Sequence, residues 1–129
     1  MPSSKKTLNP EIYVKLNLTT QERSILARLR LGILPIKIET GRFNNLDAEN
    51  RICELCTANV VEDECHFLFN CERYEDIRNN WIESIRNQCH NFDYMEVENQ
   101  LSYLFENVVR STAKYVVRCF KLRRSIVYG

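Results

Sequence analysis

The apolar positions of the chain recur mostly at helical spacing. In TTQERSILARLRLG, Ile25, Leu26 and Leu29 form one stripe, Thr19 and Glu22 stand at capping-box spacing, and Gly32 offers a left-handed stop, so the pattern predicts a helix over 20–31. Arg23 and Arg30 fall beside that stripe. Ahead of it, Ile12, Val14, Leu16 and Leu18 alternate with polar or aromatic neighbours, a weak strand signal. Residues 1–18 are therefore expected to be an extended, partly flexible segment, and residues 19–129 the domain. Ile36 and Ile38 alternate around Lys37 and Gly41 permits a turn, which predicts a short extended segment.

Beyond Cys71, the residues Tyr74, Ile77, Trp81 and Ile85 predict a second long helix of about fifteen residues. Asp93 is placed to cap a third, with Glu96 in its first turn and Val97, Leu101, Leu104, Phe105 and Val108 as its stripe. The last helix, about 110–126, carries Ala113, Val116, Val117 and Phe120 on one side and Arg110, Lys114, Arg118 and Lys121 on an adjacent side. Whether residues 95–126 form one kinked helix or two is left open by the pattern. With three glycines, three prolines and no repeat, the fold class expected is mainly α: one small helical domain.

Composition changes this picture at one place. Four of the six cysteines and one of the two histidines lie within CELCTANVVEDECHFLFNC, residues 53–71. No apolar run approaches a membrane span and the start has no apolar stretch behind its lysines, so a soluble, intracellular protein of the nucleus or cytoplasm is expected. In such a compartment disulfides rarely persist, and a clustered C-x2-C points to metal or redox chemistry. No parallel βαβ pattern surrounds CELC, which argues against a thioredoxin-like site.

The ligand set favoured is Cys53, Cys56, His66 and Cys71, a C-x2-C-x9-H-x4-C arrangement of three thiolates and one imidazole suited to one tetrahedral Zn2+. Four protein ligands leave no open position, so the ion would be structural. Cys65 is a rival to His66, since C-x2-C-x8-C-x5-C is also a credible site. Arg42 and Arg51 are candidate neighbours to offset the net −1 of three thiolates on Zn2+. Cys89, His90 and Cys119 are expected to be partly buried thiols and a surface imidazole.

LARLRLGILPIKIETGR, then RICELC, then VEDECHFLFNCERYEDIR, over about residues 23–78, resembles the reverse-transcriptase zinc-binding region downstream of the polymerase in LINE-type non-LTR retrotransposons. The family's elements fall here on Cys53, Cys56, Glu62, Glu64, His66, Phe67, Cys71, Tyr74 and Arg78. No aromatic-x-Asp-Asp turn for two-metal phosphoryl transfer occurs, and the prolines, Pro2, Pro10 and Pro35, all precede the cysteines, so neither a polymerase nor a Pro-Asp nuclease is expected. The resemblance implies a retrotransposon-derived tail, as a fragment or a co-opted gene.

Charge suggests where such a module would act. Residues 1–50 carry +3, residues 51–107 carry −8 and residues 108–129 carry +6, which together make the chain's +1. A basic C-terminal block of Arg110, Lys114, Arg118, Lys121, Arg123 and Arg124 is expected to contact RNA or DNA phosphates. Arg28 and Arg30, with Arg23 and Arg42, form a second candidate group. Phe67 and Phe69 could stack on bases, although packing around the metal is the favoured use. The rival reading is a protein-interaction module whose acidic middle docks a basic partner, a parent polymerase or a second copy. Glu62, Asp63 and Glu64 could equally pair with arginines of the first helix. No nucleophile–base trio, phosphate loop or paired-carboxylate motif stands out, so neither an enzyme nor a small-molecule substrate is expected.

Overall fold

Thr19 opens the first helix, α1 (Thr20–Leu31), through the capping box its spacing predicts: the Glu22 N–H donates to Thr19 Oγ1 and the Thr19 N–H to Glu22 Oε1, each at 3.0 Å. Gly32 ends it at φ 73°, ψ 28°, a left-handed conformation open to glycine at little cost. This computed structural model describes residues 17–127, so the alternating residues Ile12, Val14 and Leu16 lie outside the described residues.

The extended segment expected at 36–38 is extended only at Ile36 (φ −112°, ψ 171°). From Lys37 the chain turns into α2 (Lys37–Thr40) and then a 3-10 turn, Gly41–Asn44. The cause lies far along the chain: the Lys37 N–H donates to Glu62 Oε1 at 2.7 Å and the Ile38 N–H to the Glu62 carbonyl at 3.0 Å. Glu62 thus satisfies two helix donors that no local side chain caps, one through its carboxylate and one through its backbone carbonyl, and the two-residue alternation carries no trace of it. Gly41 is right-handed (φ −63°), so its value is space rather than a turn: a Cβ there would meet Arg51 Cγ at 2.6 Å.

Three longer helices follow: α3 (Glu75–Gln88), α4 (Val97–Asn107) and α5 (Val109–Val127). The stretch from 95 to 126 therefore holds two helices, broken at Val108 (φ −136°, ψ 38°). Asp93 does not cap α4. It lies in the 3-10 turn Phe92–Tyr94 and pairs with Arg86 at 2.8 Å, while Glu96 takes the N-cap position with no side-chain bond. The fold is mainly α-helical. Among the described residues there is no strand, only a single antiparallel bridge between Ile52 and Val61. No helix is long and apolar enough to cross a membrane.

Helix α5 is the hub, packing against α1, α3 and α4. Its buried face carries Thr112, Ala113, Tyr115, Val116, Cys119 and Phe120. Tyr115 stacks on Trp81 of α3 with ring centroids 4.1 Å apart, and Trp81 Nε1 donates to Thr112 Oγ1 at 3.2 Å. Phe67 meets both Tyr74 and Phe120 at 5.1 Å. Such contacts join the cysteine-bearing loop to α5 through dispersion and shape, not through chain connectivity.

Gly41→Ala tests how firmly that loop is held. Arg51 cannot swing aside cheaply, because its Nε donates to the Leu46 carbonyl (3.0 Å) and its Nη1 to the Ile38 carbonyl (2.8 Å). The substitution is expected to destabilise by about 1–3 kcal/mol in denaturant unfolding; a midpoint equal to wild type would show that the Arg51 stem is not fixed.

Candidate metal centre

The two halves of the cysteine cluster are built by different local structures. Cys53 and Cys56 sit on a loop pinned to its return limb: the Cys53 N–H donates to the Val60 carbonyl (2.8 Å) and the Glu62 N–H to the Arg51 carbonyl (3.0 Å). His66 and Cys71 flank a π-helical turn, His66–Asn70, in which the Cys71 N–H donates to the His66 carbonyl at 2.7 Å. In an α-helix residues five apart lie about 140° apart around the axis. The wider π turn, with its i→i+5 bond, brings them toward one face. Asp63 Oδ1 accepts the His66 N–H at 2.8 Å and fixes where that turn begins.

The result gathers one donor atom from each of Cys53, Cys56, His66 and Cys71, all within 4.8 Å of one another. Cys53 Sγ lies 3.9 Å from Cys71 Sγ, and Cys56 Sγ 3.5 Å from His66 Nε2. These residues could hold one metal ion, and with four protein donors its role would be structural. Cys65 is not among them. Its sulfur accepts from Asn70 Nδ2 at 3.7 Å, so the structure brings His66, not Cys65, into the cluster.

The electrostatics describe a site that must lose protons to bind. Burial pushes the Cys53 thiol up to about 12, against the pull of the Leu55 N–H, with the Glu62 charge adding to the rise. Cys71 is raised by burial, against the Arg73 N–H. His66 is lowered by burial, opposed by Glu62 and Asp63. In the ion-free cluster burial therefore favours the thiol form of Cys53 and Cys71 and the neutral form of the His66 imidazole. The two N–H groups that favour the charged sulfurs, from Leu55 and Arg73, each lie two residues beyond the cysteine they serve.

Arg42 and Arg51 do not supply the neighbouring positive charge. Arg42 pairs with Glu39 at 3.0 Å on the surface, and the Arg51 guanidinium is bound to carbonyls. Two other arginines tie the loop instead: Arg73 Nε donates to the Leu55 carbonyl (3.0 Å), and buried Arg78 donates to the carbonyls of Leu68 (3.0 Å) and Cys71 (2.7 Å) and to Tyr115 Oη (3.0 Å). Compared with known protein families, curated proteins and solved structures, the chain finds no match.

Glu62 is the residue that sequence reasoning misplaced. It does not pair with α1. Its carboxylate, 1 % exposed, accepts both Nη1 and Nη2 of Arg123 from α5, the latter at 2.9 Å, and Arg123 Nη1 also donates to Tyr74 Oη at 3.2 Å. Of the basic residues singled out, Arg110, Arg118, Lys121 and Arg124 on α5 and Arg28 on α1 are exposed. Lys114 is exposed but pairs with Glu22 at 3.2 Å. Arg123 lies on the inner face, engaged by Glu62. Arg30 is half-buried, and Arg23 donates to the Leu18 carbonyl at 2.9 Å. Phe67 is fully buried and Phe69 stacks parallel to Trp81 at 6.0 Å, so both rings pack inside the protein. Cys119 is fully buried, Cys89 half-buried and His90 exposed.

Two outcomes follow from this geometry. Cys56→Ser and Cys71→Ser are expected to lose the metal and lower the melting temperature together, whereas Cys65→Ser keeps a full metal equivalent, as read by metal analysis and calorimetry; metal loss in Cys65→Ser would select the all-cysteine set. Because burial favours the thiol form of Cys53 and Cys71, binding must draw protons from both, and affinity should rise with pH by on the order of a hundredfold per unit or more below the thiol range. Competition titrations between pH 6 and 7 would measure it, and a slope of one proton or less would refute binding through both sulfurs.

Proposed function

We propose that the chain is a non-catalytic nucleic-acid-binding module, ordered by one structural zinc ion and derived from the region downstream of a non-LTR retrotransposon reverse transcriptase. Zinc is the ion the donors fit best. Three soft sulfurs and an imidazole favour it, and tetrahedral bonds of about 2.3 Å to sulfur and about 2.0 Å to nitrogen imply edges of about 3.8 Å and about 3.5 Å. The S–S and S–N separations of 3.9 Å and 3.5 Å are close to those edges. When bound, the ion would lock the two loop halves together, and its four ligands leave no position for substrate.

The observation that carries the nucleic-acid reading is the outer edge of α5. Arg110, Arg118, Lys121 and Arg124 are exposed, within about four turns of each other, and none makes an ion pair among the described residues. No acidic residue follows Glu106 to offset them. At 100° per residue, Arg110, Lys121 and Arg124 fall within about 60° on the helix circumference, with Arg118 about 60° beyond Lys121. A row of cations with this spacing suits a phosphate backbone better than a single carboxylate. Beside its first turn lies an open groove of about 460 Å3, lined by Val108 and Val109 together with Ser84, Gln88, Arg110 and Lys114. RNA and DNA both fit this chemistry, inside the cell, and no small-molecule substrate is invoked.

Binding to labelled structured RNA, single-stranded DNA and duplex DNA across a salt series tests the proposal. Wild type is expected to bind at micromolar levels or tighter and to weaken with salt. A variant with Arg110, Arg118, Lys121 and Arg124 all replaced by glutamine should lose most affinity, with the duplex salt slope reduced by about 0.9 per lost contact. Absence of binding at low salt by a folded, metal-loaded protein would overturn the reading in favour of an acidic surface that docks a basic protein partner.

A further inference from the structure

The loop that carries the metal ligands and the helix that carries the exposed cations meet at one buried ion pair. Glu62 lies between the two halves of the ligand set, six residues after Cys56 and four before His66. Its backbone is pinned to the first half through Arg51, and the next residue, Asp63, caps the π turn that begins at His66 in the second. Its side chain reaches out of the loop to hold Arg123, with Tyr74 Oη accepting from the same guanidinium. Arg123 lies fifty-two positions beyond the last ligand and is itself no ligand.

We propose that Arg123 is a positioning residue that couples metal binding to the seating of α5: the ion fixes the loop, the loop presents Glu62, and Glu62 clamps Arg123 so that the opposite, cationic edge of the helix faces outward. The clamp is two-ended. Burial of a guanidinium is favourable here only while a carboxylate meets it, and Glu62 stays buried only while Arg123 and the Lys37 N–H meet it. If the loop opens, the pair is lost and the C-terminal half of α5 is held by Phe120 and its apolar neighbours alone. The two ends must obey reciprocity: whatever the ion contributes to docking α5, a docked α5 contributes to holding the ion.

This coupling deepens the nucleic-acid reading, on which only its functional meaning rests; the coupling itself is measured without nucleic acid. Arg123→Met removes the guanidinium but leaves every ligand and every exposed cation in place. The full chain should then bind zinc about tenfold more weakly in chelator competition. In the zinc-loaded variant, amide exchange over residues 116–126 should quicken by about tenfold while α4 keeps its protection. Arg123→Lys, which keeps a charge that Glu62 can meet singly, should recover part of both effects, and it carries the test if the methionine variant does not fold. Glu62→Gln should quicken the same amides. Unchanged zinc affinity together with unchanged exchange over 116–126 in Arg123→Met, or in Arg123→Lys if only that variant folds, would overturn the coupling. If the clamp behaves as described but wild type binds no polyanion, the nucleic-acid reading fails and the coupling stands.

Discussion

A carboxylate that is 1 % exposed and a guanidinium whose side chain is 17 % exposed set the terms for this fold. Removing either charge from water costs several kcal/mol, and the pair is viable because its remaining valences are filled: Glu62 by the Lys37 N–H, Arg123 by the Tyr74 hydroxyl. Against an apolar pair of equal size such an interaction contributes little net stability, yet losing one partner costs about 3–5 kcal/mol. That is a large fraction of the roughly 5–15 kcal/mol that holds a small domain together. What the pair supplies is register. It makes α2 begin at Lys37, fixes the loop between the ligand halves, and selects the face that α5 turns inward.

Around that pair the protein solves a packing problem typical of a small chain. The loop from Arg51 to Cys71 has one isolated bridge and one π turn for regular structure, too few backbone bonds to hold a shape alone. Its order comes from what it touches. Phe67 sits between Tyr74 and Phe120, Leu68 offers its carbonyl to Arg78 and Tyr115, and Cys71 offers its own to Arg78. Arg78, fully engaged inside the protein, joins loop, α3 and α5 in one hydrogen-bonded node. A metal ion would add a fourth constraint, tying Cys53 and Cys56 to His66 and Cys71 beside these contacts.

The helices were legible because their signals are local. Thr19, Glu22 and Gly32 define α1 within fourteen residues, and the stripes of α3, α4 and α5 each lie within one element apart from Tyr74 and Val108 at the helix ends. The clustering of Cys53, Cys56, His66 and Cys71 was legible for the same reason, since C-x2-C and H-x4-C are short-range spacings. What failed was non-local. Nothing near Ile36 announces that a carboxylate twenty-five positions after Lys37 will cap its helix, and Asp93 resembles a cap until Arg86 claims it. Arg123 was a different kind of miss, because the signal existed. Thirteen residues beyond Arg110 at 100° each puts it about 220° around the helix, among the buried Thr112, Val116 and Cys119. Counting charges along the C-terminal block concealed what their angular positions reveal.

The same angular sorting locates the positive charge near the cysteine loop. Three thiolates on a divalent ion would carry a net −1, and Glu62, close enough to raise the Cys53 thiol, would add to it. Arg42 and Arg51, near in sequence, are turned to other partners. The positive charges that face this region instead come from α3 and α5: Arg78, bound to the Cys71 carbonyl, and Arg123, bound to Glu62. Both are held where water is scarce, so their fields are felt at short range more strongly than those of surface lysines would be. The basic block thus divides by face into an inner charge, Arg123, that meets Glu62 and an outer row without ion pairs among the described residues. One helix serves both because its two faces meet environments of opposite demand.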